Sequence, residues 1–311
     1  MTKFAMVFPG QGSQEIGMLK ELSEVYPIVQ EIFSEASSVL GYDLWNLVQE
    51  GSAEKLGQTW VTQPALLAAS VAIFKVWQQK EGAKPHFMAG HSLGEYSALV
   101  CAGVIDFRDA IKLVELRGKL MQEAVPVGTG AMYAIIGLDN DVVVKACKEA
   151  AQGQVVSPVN FNSPGQVVIA GNKEAVERAA ILCKEAGAKR ALPLAVSVPS
   201  HCELMKPAAD KLAEKLKTIS FQEPQYSVIN NVDVKIETSA QAIKDALIAQ
   251  LYSPVRWTEI VEFMANQGTT LLVEMGPGKV LTGLTKRIIK TLSGCSVNDP
   301  TSLDAALESV K

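Results

Sequence analysis

The chain has 311 residues, of which 48% are hydrophobic and 20% are charged. This composition excludes a disordered or fibrous protein and indicates an ordinary globular enzyme, with one large domain that carries a smaller insert. The formal net charge of -4 argues against broad electrostatic binding to nucleic acid or anionic lipid, so neither partner is expected.

The first predicted strand, at residues 4–7, leads into the glycine-punctuated loop Pro-Gly-Gln-Gly-Ser-Gln at 9–14. Pro9 and Gly10 end the apolar run too early for a signal peptide. A backbone N–H in such a loop can approach a reacting carbonyl, although a plain tight turn would have the same composition. The loop lacks the Lys-Ser/Thr ending of a phosphate-binding Walker A motif.

The longest apolar stretch, at residues 64–74, is shorter than the roughly 18 residues that a membrane span needs, and we predict a buried helix there. The cysteines form no CxxC pair and no cluster with histidine, which favours a reduced, cytoplasmic location and no metal or redox cofactor. These cysteines are Cys101, Cys147, Cys183, Cys202 and Cys295.

A second predicted strand, at 87–89, is followed by Gly-His-Ser-Leu-Gly at 90–94 and by a helical run at 95–100. The G-x-S-x-G motif of serine nucleophiles requires this strand-turn-helix setting, whereas the motif alone recurs by chance. The start of the helix offers N–H groups and partial positive charge to a developing oxyanion. We predict that Ser92 is the nucleophile; the alternative is an idle serine in a glycine-rich turn.

Arg117 lies among leucines on the helical pattern at 106–122. An arginine in apolar surroundings needs an anion, and its planar fork suits a carboxylate. Spacing alone leaves open whether that carboxylate belongs to a substrate or to a neighbour such as Glu115 or Glu123.

From residue 128 to residue 198 the order changes to strand, helix, strand, strand, helix, strand, which is typical of a ferredoxin-like fold. A groove between this inserted subdomain and the main body would be a natural ligand site. The predicted strands are 131–138, 155–160, 166–170 and 190–196, the predicted helices are 142–151 and 173–186, and the turn at 162–165 joins the middle strands as a hairpin.

A serine hydroxyl needs a base near neutral pH, and the chain has 3 histidines. His86 precedes a strand, and His91 adjoins Ser92 on a sharp turn where neighbouring side chains point apart. His201 lies where the insert returns to the main body, and we predict that it is the base. Glu203 is close to His201 in sequence, but this does not place its carboxylate at the far nitrogen of the ring. A backbone carbonyl could orient the ring instead.

The last predicted strands, at 226–229 and 271–274, resume the alternation of strands with helices. This alternation predicts a mostly parallel sheet covered by helices. The predicted fold class is therefore α/β, with a large α/β-hydrolase-like domain formed by residues 1–127 and 199–311 and the ferredoxin-like (βαββαβ) insert at 128–198.

These motifs together, nearly end to end along the chain, resemble the malonyl-CoA:acyl carrier protein transacylase family of dissociated, bacterial-type fatty acid synthesis. Several motifs in the correct order are far more specific than any one of them. They are the loop at 9–14, Gly-His-Ser-Leu-Gly-Glu at 90–95, Arg117, Asn-Phe-Asn-Ser-Pro-Gly-Gln at 160–166, His201, and Glu-Met-Gly-Pro-Gly-Lys-Val at 274–280.

The resemblance implies a ping-pong reaction in which Ser92 takes the malonyl group from coenzyme A and passes it to the phosphopantetheine thiol of acyl carrier protein. It implies that His201 is the base, oriented by the main-chain carbonyl of Gln250 in a loop, and that Arg117 binds the malonyl carboxylate. The coenzyme A thioester is a substrate, and no further cofactor is implied. The remaining implied site residues are Gln11 and Leu93, whose N–H groups form the oxyanion hole, and Gln63, His91, Asn160 and Asn162, which line or adjoin the acyl site.

The resemblance leaves the choice of acyl group partly open. In related acyltransferase domains the residue before the histidine helps to discriminate malonyl from branched units, and here it is Ser200, which is too small to exclude methylmalonyl. Acyl carrier proteins are acidic, so a basic patch would steer their docking. Each candidate could equally be the end of a helix or strand whose charges are simply exposed to solvent. The candidates are Lys189 with Arg190, and Lys286 and Arg287 with Lys290.

Two other interpretations compete with this one. A serine esterase of the α/β-hydrolase type shares the elbow, but it usually places its histidine near the C-terminus, and no histidine follows residue 201. A non-catalytic subunit could keep the fold in order to bind a carrier protein, which the intact Ser92, His201 and Arg117 disfavour. A monomer is expected.

Overall fold

The computed structural model describes residues 2–196 and 198–311. Met1 and Ser197, which fall within the predicted segments 1–127 and 128–198, lie outside the described residues. The fold is mixed α/β, with a parallel sheet and an antiparallel sheet.

The strands, in chain order, are β1 (Phe4–Phe8), β2 (Phe87–Gly90), β3 (Gly130–Ile136), β4 (Val156–Ser163), β5 (Gln166–Asn172), β6 (Arg190–Pro193), β7 (Val228–Ile229), β8 (Leu271–Met275) and β9 (Ser293–Val297). The helices are α1 (Lys20–Val25), α2 (Ile28–Leu40), α3 (Leu44–Glu50), α4 (Ala53–Leu56), α5 (Thr59–Gln79), α6 (Leu93–Cys101), α7 (Phe107–Ala124), α8 (Asn140–Ala151), α9 (Lys173–Glu185), α10 (Lys206–Leu216), α11 (Ala240–Gln250), α12 (Trp257–Asn266), α13 (Val280–Ile288) and α14 (Pro300–Ser309).

The parallel sheet has the strand order β7-β2-β1-β8-β9. Its middle strand β1 is buried at every position, because helices cover both faces, and its sequence is accordingly a continuous apolar run. The prediction of a mostly parallel sheet is confirmed. Two predictions were incomplete: β7 begins at Val228 rather than at 226, and the edge strand β9, whose Ser-Gly-Cys-Ser-Val sequence gives little apolar signal, was not predicted.

Helix α5 contains the buried helix predicted at 64–74 and extends it at both ends. By length and composition this helix could cross a membrane, yet 89% of its most apolar 18-residue window is buried inside the protein. It packs against α2 and α7 and forms part of the main core.

The antiparallel sheet has the order β4-β5-β3-β6, and α8 and α9 pack on it around a separate apolar cluster that includes Ile135, Val143 and Val176. The predicted hairpin is present, with Pro164 and Gly165 as its two-residue turn. The predicted strand at 190–196 is shorter. Strand β6 ends at Pro193, whose nitrogen has no hydrogen to donate. The Leu194 N–H still donates to the Met132 carbonyl at 2.9 Å, and the chain then lines a cavity that Ser92 also lines.

The two sheets meet near the carboxyl end of β2. A parallel bridge joins Asn160 on β4 to Val255, and the N–H of Phe161 donates to the Val255 carbonyl at 3.0 Å. Thr258 Oγ1 adds a hydrogen bond to the Phe161 carbonyl at 3.0 Å. These contacts hold the antiparallel sheet against the segment that leads into α12, next to the turn that carries Ser92.

Candidate active site

Ser92 occupies the turn between β2 and α6, with φ 52° and ψ -111°. A non-glycine residue rarely adopts a positive φ, so the turn holds this serine in a strained backbone conformation. Glycine is needed on both sides because the chain approaches itself closely. A Cβ on Gly90 would lie 1.8 Å from the carbonyl carbon of Gly94, and a Cβ on Gly94 would lie 2.0 Å from the Phe8 carbonyl oxygen.

His201 reaches this serine from a distant part of the chain. Its Nε2 lies 2.7 Å from Ser92 Oγ, and its Nδ1 lies 2.7 Å from the main-chain oxygen of Gln250. Because a carbonyl only accepts hydrogen bonds, Nδ1 carries the ring hydrogen and the Nε2 lone pair faces the hydroxyl. Gln250 is the last residue of α11, so this carbonyl belongs to a helix end and not to the loop that was expected.

The imidazole of His201 is held in its neutral form. Burial, followed by the positive charge of Arg117, lowers the pKa of His201 from 6.5 to about 3, so the ring is neutral at physiological pH. His201 also has a positive φ of 63°, and its N–H donates to the Leu251 carbonyl at 3.0 Å. Glu203 takes no part here, because it is exposed and pairs with Lys206 at 2.7 Å.

Arg117 is buried beside the serine. Its Nη1 donates to Gln63 Oε1 at 2.8 Å, and its Nη2 donates to Gln250 Oε1 at 2.9 Å and to Ser92 Oγ at 3.3 Å. Its guanidinium carbon lies 5.2 Å from the centre of the Tyr96 ring. The neighbouring carboxylates that spacing left open do not pair with it.

Those carboxylates have other partners. Glu115 Oε1 binds Lys119 at 2.8 Å, and Glu123 Oε2 lies 3.6 Å from Lys211. Within residues 2–196 and 198–311, no carboxylate oxygen lies within 4.0 Å of the guanidinium of Arg117. The structure therefore contains a buried cation beside a serine, with no direct ion-pair partner in the described part of the chain.

A cavity of about 100 Å³ opens at this point. Gln11, from the loop after β1, and Leu93, the first residue of α6, both line it. An N–H at a helix start is free of intrahelical bonding and is suited to bind negative charge. Apolar side chains complete the wall, and they are Met121, Met132, Leu194, Val196 and Val198.

The other predicted site residues also lie at or beside the cavity. His91 Nε2 is 2.8 Å from Asn162 Oδ1, and its ring lies 5.7 Å from that of Trp257, so His91 ties the elbow to β4. Burial lowers the pKa of His91. Asn160 and His91 line the cavity, whereas Gln63 is placed behind Arg117 as its hydrogen-bond acceptor.

The sequence prediction missed two buried residues that support the elbow, Asn231 and Glu95. Asn231 Oδ1 accepts the Ser92 N–H at 2.8 Å, and its Nδ2 donates to the Gly90 carbonyl at 2.7 Å. Glu95 Oε2 accepts the Asn231 N–H at 3.0 Å. A signal was available for the first of them, because Asn231 follows β7, whose carboxyl end lies beside that of β2 in a parallel sheet.

The two basic candidates for a docking surface come together in the structure. Ile136 pairs with Arg190 on one side and with Gln166 on the other, and Arg287 Nη1 donates to Gln166 Oε1 at 3.0 Å. The candidate residues are all exposed, and they are Lys189, Arg190, Lys286, Arg287 and Lys290. In the described part of the chain, no group of three or more His, Cys, Asp or Glu side chains could hold a metal ion.

Comparisons with known proteins show the family to which the chain belongs. The model of the acyl transferase domain family matches residues 5–301. The malonyl CoA-acyl carrier protein transacylase of Escherichia coli strain K12 is 69% identical over 308 residues, which cover 99% of this chain and 100% of that protein. The protein of the same name from Bacillus subtilis strain 168 is 47% identical over 312 residues, covering 100% of this chain and 98% of its own.

Solved structures give the same result. A malonyl-transacylase in complex with a type II PKS acyl-carrier protein has a TM-score of 0.98 and 72% identity, covering 99% of this chain and 100% of its own. An acyl carrier protein S-malonyltransferase from Vibrio cholerae has a TM-score of 0.97 and 72% identity, covering 98% and 100%.

Proposed function

Because this chain belongs to the acyl transferase family, we propose that it transfers the malonyl group of malonyl-CoA to the phosphopantetheine thiol of acyl carrier protein, which supplies the extender unit for fatty acid synthesis. The relatives that carry this activity in their names match essentially the whole chain. The observation that carries the proposal is the hydroxyl of Ser92, which lies 2.7 Å from His201 Nε2 and 3.3 Å from Arg117 Nη2. A nucleophile, a base and a carboxylate-binding cation thus meet at one atom.

In the first half-reaction, His201 Nε2 takes the hydroxyl proton as Ser92 Oγ attacks the thioester carbonyl. The N–H groups of Gln11 and Leu93 bind the oxyanion of the tetrahedral intermediate. The intermediate collapses, the carbon–sulfur bond breaks, and coenzyme A leaves as its thiol with the proton from His201. A malonyl ester of Ser92 remains.

The second half-reaction runs the same steps in reverse. His201 takes the proton of the phosphopantetheine thiol, the thiolate attacks the ester carbonyl, and Ser92 leaves with the proton returned from His201. The sum is malonyl-CoA plus carrier thiol giving malonyl-carrier plus coenzyme A. No metal or redox cofactor enters either half of this proposal.

Arg117 selects the acyl group in this mechanism. Its planar fork binds the malonyl carboxylate bidentately, and its side chain is fully buried, with a relative exposure of 1%. An acetyl group would leave the guanidinium without an anion in the same desolvated place, which costs several kcal/mol.

We propose that residues 1–127 and 199–311 form a hydrolase-like catalytic domain and that residues 128–198 form an inserted ferredoxin-like subdomain. The β4-β5-β3-β6 order and the separate apolar cluster under α8 and α9 support this division. We also propose that the protein is a cytoplasmic monomer. The acidic carrier protein would dock on the basic surface formed by Lys189, Arg190, Lys286, Arg287 and Lys290.

The test is the intact mass of the protein after incubation with malonyl-, methylmalonyl-, acetyl- and succinyl-CoA side by side. We expect one added malonyl group on the unaltered chain and none on Ser92→Ala. Ser97→Ala is the matched control, because Ser97 is a buried serine in α6, the helix that follows Ser92, and this variant should label normally. A persistent label on Ser92→Ala would refute the nucleophile assignment.

A further inference from the structure

The side-chain amide of Gln250 separates a buried cation from a buried carboxylate. Its Oε1 accepts from Arg117 Nη2 at 2.9 Å, while its Nε2 donates to Glu95 Oε2 at 2.8 Å and to the Ser92 carbonyl at 3.0 Å. An amide has one accepting end and one donating end, so these neighbours fix its orientation. The guanidinium, the amide and the carboxylate therefore lie in a row and are linked by hydrogen bonds.

Among the described residues, neither Arg117 nor Glu95 has a direct partner of opposite charge. Glu95 is 2% exposed and Arg117 is 1% exposed. In the part of the chain that the structure describes, no Lys, Arg or His nitrogen lies within 4.0 Å of the Glu95 carboxylate. A buried charge without compensation is strongly unfavourable, so each of these groups is the natural compensation for the other.

We propose that Glu95 is the counter-charge of Arg117 and is held one amide away so that the edge of the guanidinium facing the cavity stays free for an acyl carboxylate. A carboxylate in direct contact with Arg117 would compete with the substrate for the same N–H groups. Across the amide it still attracts the guanidinium, because the interaction of charges falls only as the inverse of distance. Glu95 is thus a positioning residue, and its role rests on the malonyl transfer proposed above.

The ionisation of Glu95 is compatible with this role. Burial raises the pKa of Glu95 to about 7, opposed first by the hydrogen bonds from Gln250 and Asn231 and then by the charge of Arg117, while Asp233 raises it further. At pH 8 the carboxylate is therefore mostly ionised. At that pH the substitution Glu95→Gln removes most of a full negative charge, so pH 8 is the pH for the assays.

The substitution Glu95→Gln isolates the charge. Both hydrogen bonds to the carboxylate end on Oε2, so a glutamine can retain them with its oxygen while its NH₂ group takes the place of Oε1. Removing a negative charge near the malonyl carboxylate should then strengthen the binding of dicarboxylates by about tenfold. Binding of an acetyl group, which has no carboxylate, should change by less than about twofold.

Free malonate is the probe. The experiment measures the malonate concentration that half-protects Ser92 from inactivation by phenylmethylsulfonyl fluoride, together with the KM values for malonyl-CoA and acetyl-CoA, all per titrated active serine. Glu274→Gln is the control for loss of a buried carboxylate, because Glu274 is also fully buried and its hydrogen bonds come from Leu281 and Thr282 instead of from the Gln250 amide. Its malonate protection should equal that of the unaltered chain.

Glu95→Asp provides a second, milder test should the glutamine variant fold poorly. The aspartate side chain is one methylene shorter, which moves the negative charge away from Arg117. Malonate should therefore protect at about threefold lower concentration. An unchanged or higher half-protection concentration in both variants would overturn the inference, and so would an equal shift in the KM for acetyl-CoA or in Glu274→Gln. If the unaltered chain takes no malonyl label at all, the failure lies in the proposed function instead.

Discussion

The guanidinium Nη2 of Arg117 lies 3.3 Å from the hydroxyl oxygen of Ser92. The cation proposed to bind an acyl carboxylate and the nucleophile proposed to bind the acyl carbonyl therefore share one small volume. In a malonyl group a single carbon separates the carboxylate from the reacting carbonyl, so such a group can reach both without extending. A longer dicarboxylic acyl group would have to fold to do so.

Arg117→Ala should lower malonyl transfer by about 100-fold or more, because a desolvated carboxylate would lose a bidentate partner worth several kcal/mol. Transfer of acetyl should rise relative to transfer of malonyl. The measurement is kcat/KM for malonyl-CoA and acetyl-CoA in parallel, with Arg117→Lys as a variant that keeps the charge but not the fork. An unchanged ratio of the two donors would show that Arg117 has only a structural role.

Stability should depend on pH through His201. The pKa of this group is 6.5 when unfolded and about 3 when folded, so below pH 6.5 the unfolded chain takes up a proton that the folded chain refuses. Compared with His201→Gln, the unaltered protein should lose about 2 kcal/mol of unfolding free energy between pH 7 and pH 5. Denaturant unfolding of both proteins across this range measures the difference in unfolding free energy. The titration of the other groups is common to both proteins and cancels in this difference. A difference that does not vary with pH would contradict the lowered pKa.

Gly90→Ala should destabilise the protein by about 3 kcal/mol, because its new Cβ would overlap the carbonyl of Gly94 and force the elbow open. Gly283→Ala is the matched control. A Cβ there meets nothing within 4 Å, and alanine in the middle of α13 should stabilise the protein by about 1 kcal/mol. Thermal unfolding of the two variants should therefore shift in opposite directions, and equal shifts would refute the close approach at the elbow.

Arg287→Glu should raise the KM for acyl carrier protein by about tenfold at low salt, since it reverses a charge in the proposed docking surface. Labelling of Ser92 by malonyl-CoA should stay unchanged. The control is Lys80→Glu, an exposed lysine between α5 and the amino end of β2, at the opposite end of that strand from Ser92. If both reversals weaken the carrier protein equally, the effect is one of net charge and not of a defined surface.

Local sequence was sufficient for the features that depend on neighbours in the chain. The apolar run of β1, the Pro164-Gly165 hairpin and the Gly-His-Ser-Leu-Gly elbow each followed from composition and spacing. The edge strand β9 did not, because its small and polar residues are only partly buried and carry no periodic apolar signal.

Tertiary structure decided the features that depend on residues far apart in sequence. Residue type and position suggested Ser92 and His201, and the family resemblance added Arg117 and implied that the three act together. Only the folded chain gave the distances at which they meet at one hydroxyl, across separations of 109 and 25 residues. The role of Glu95 could not be seen for the same reason, since an isolated glutamate in a sequence does not reveal whether it is buried or which group it contacts. For Asn231 the sequence offered only its position after β7, not the hydrogen bonds it makes. What distinguishes Arg117 and Glu95 from ordinary surface charges is burial without a direct ion-pair partner in the described chain, and burial arises only when the chain folds.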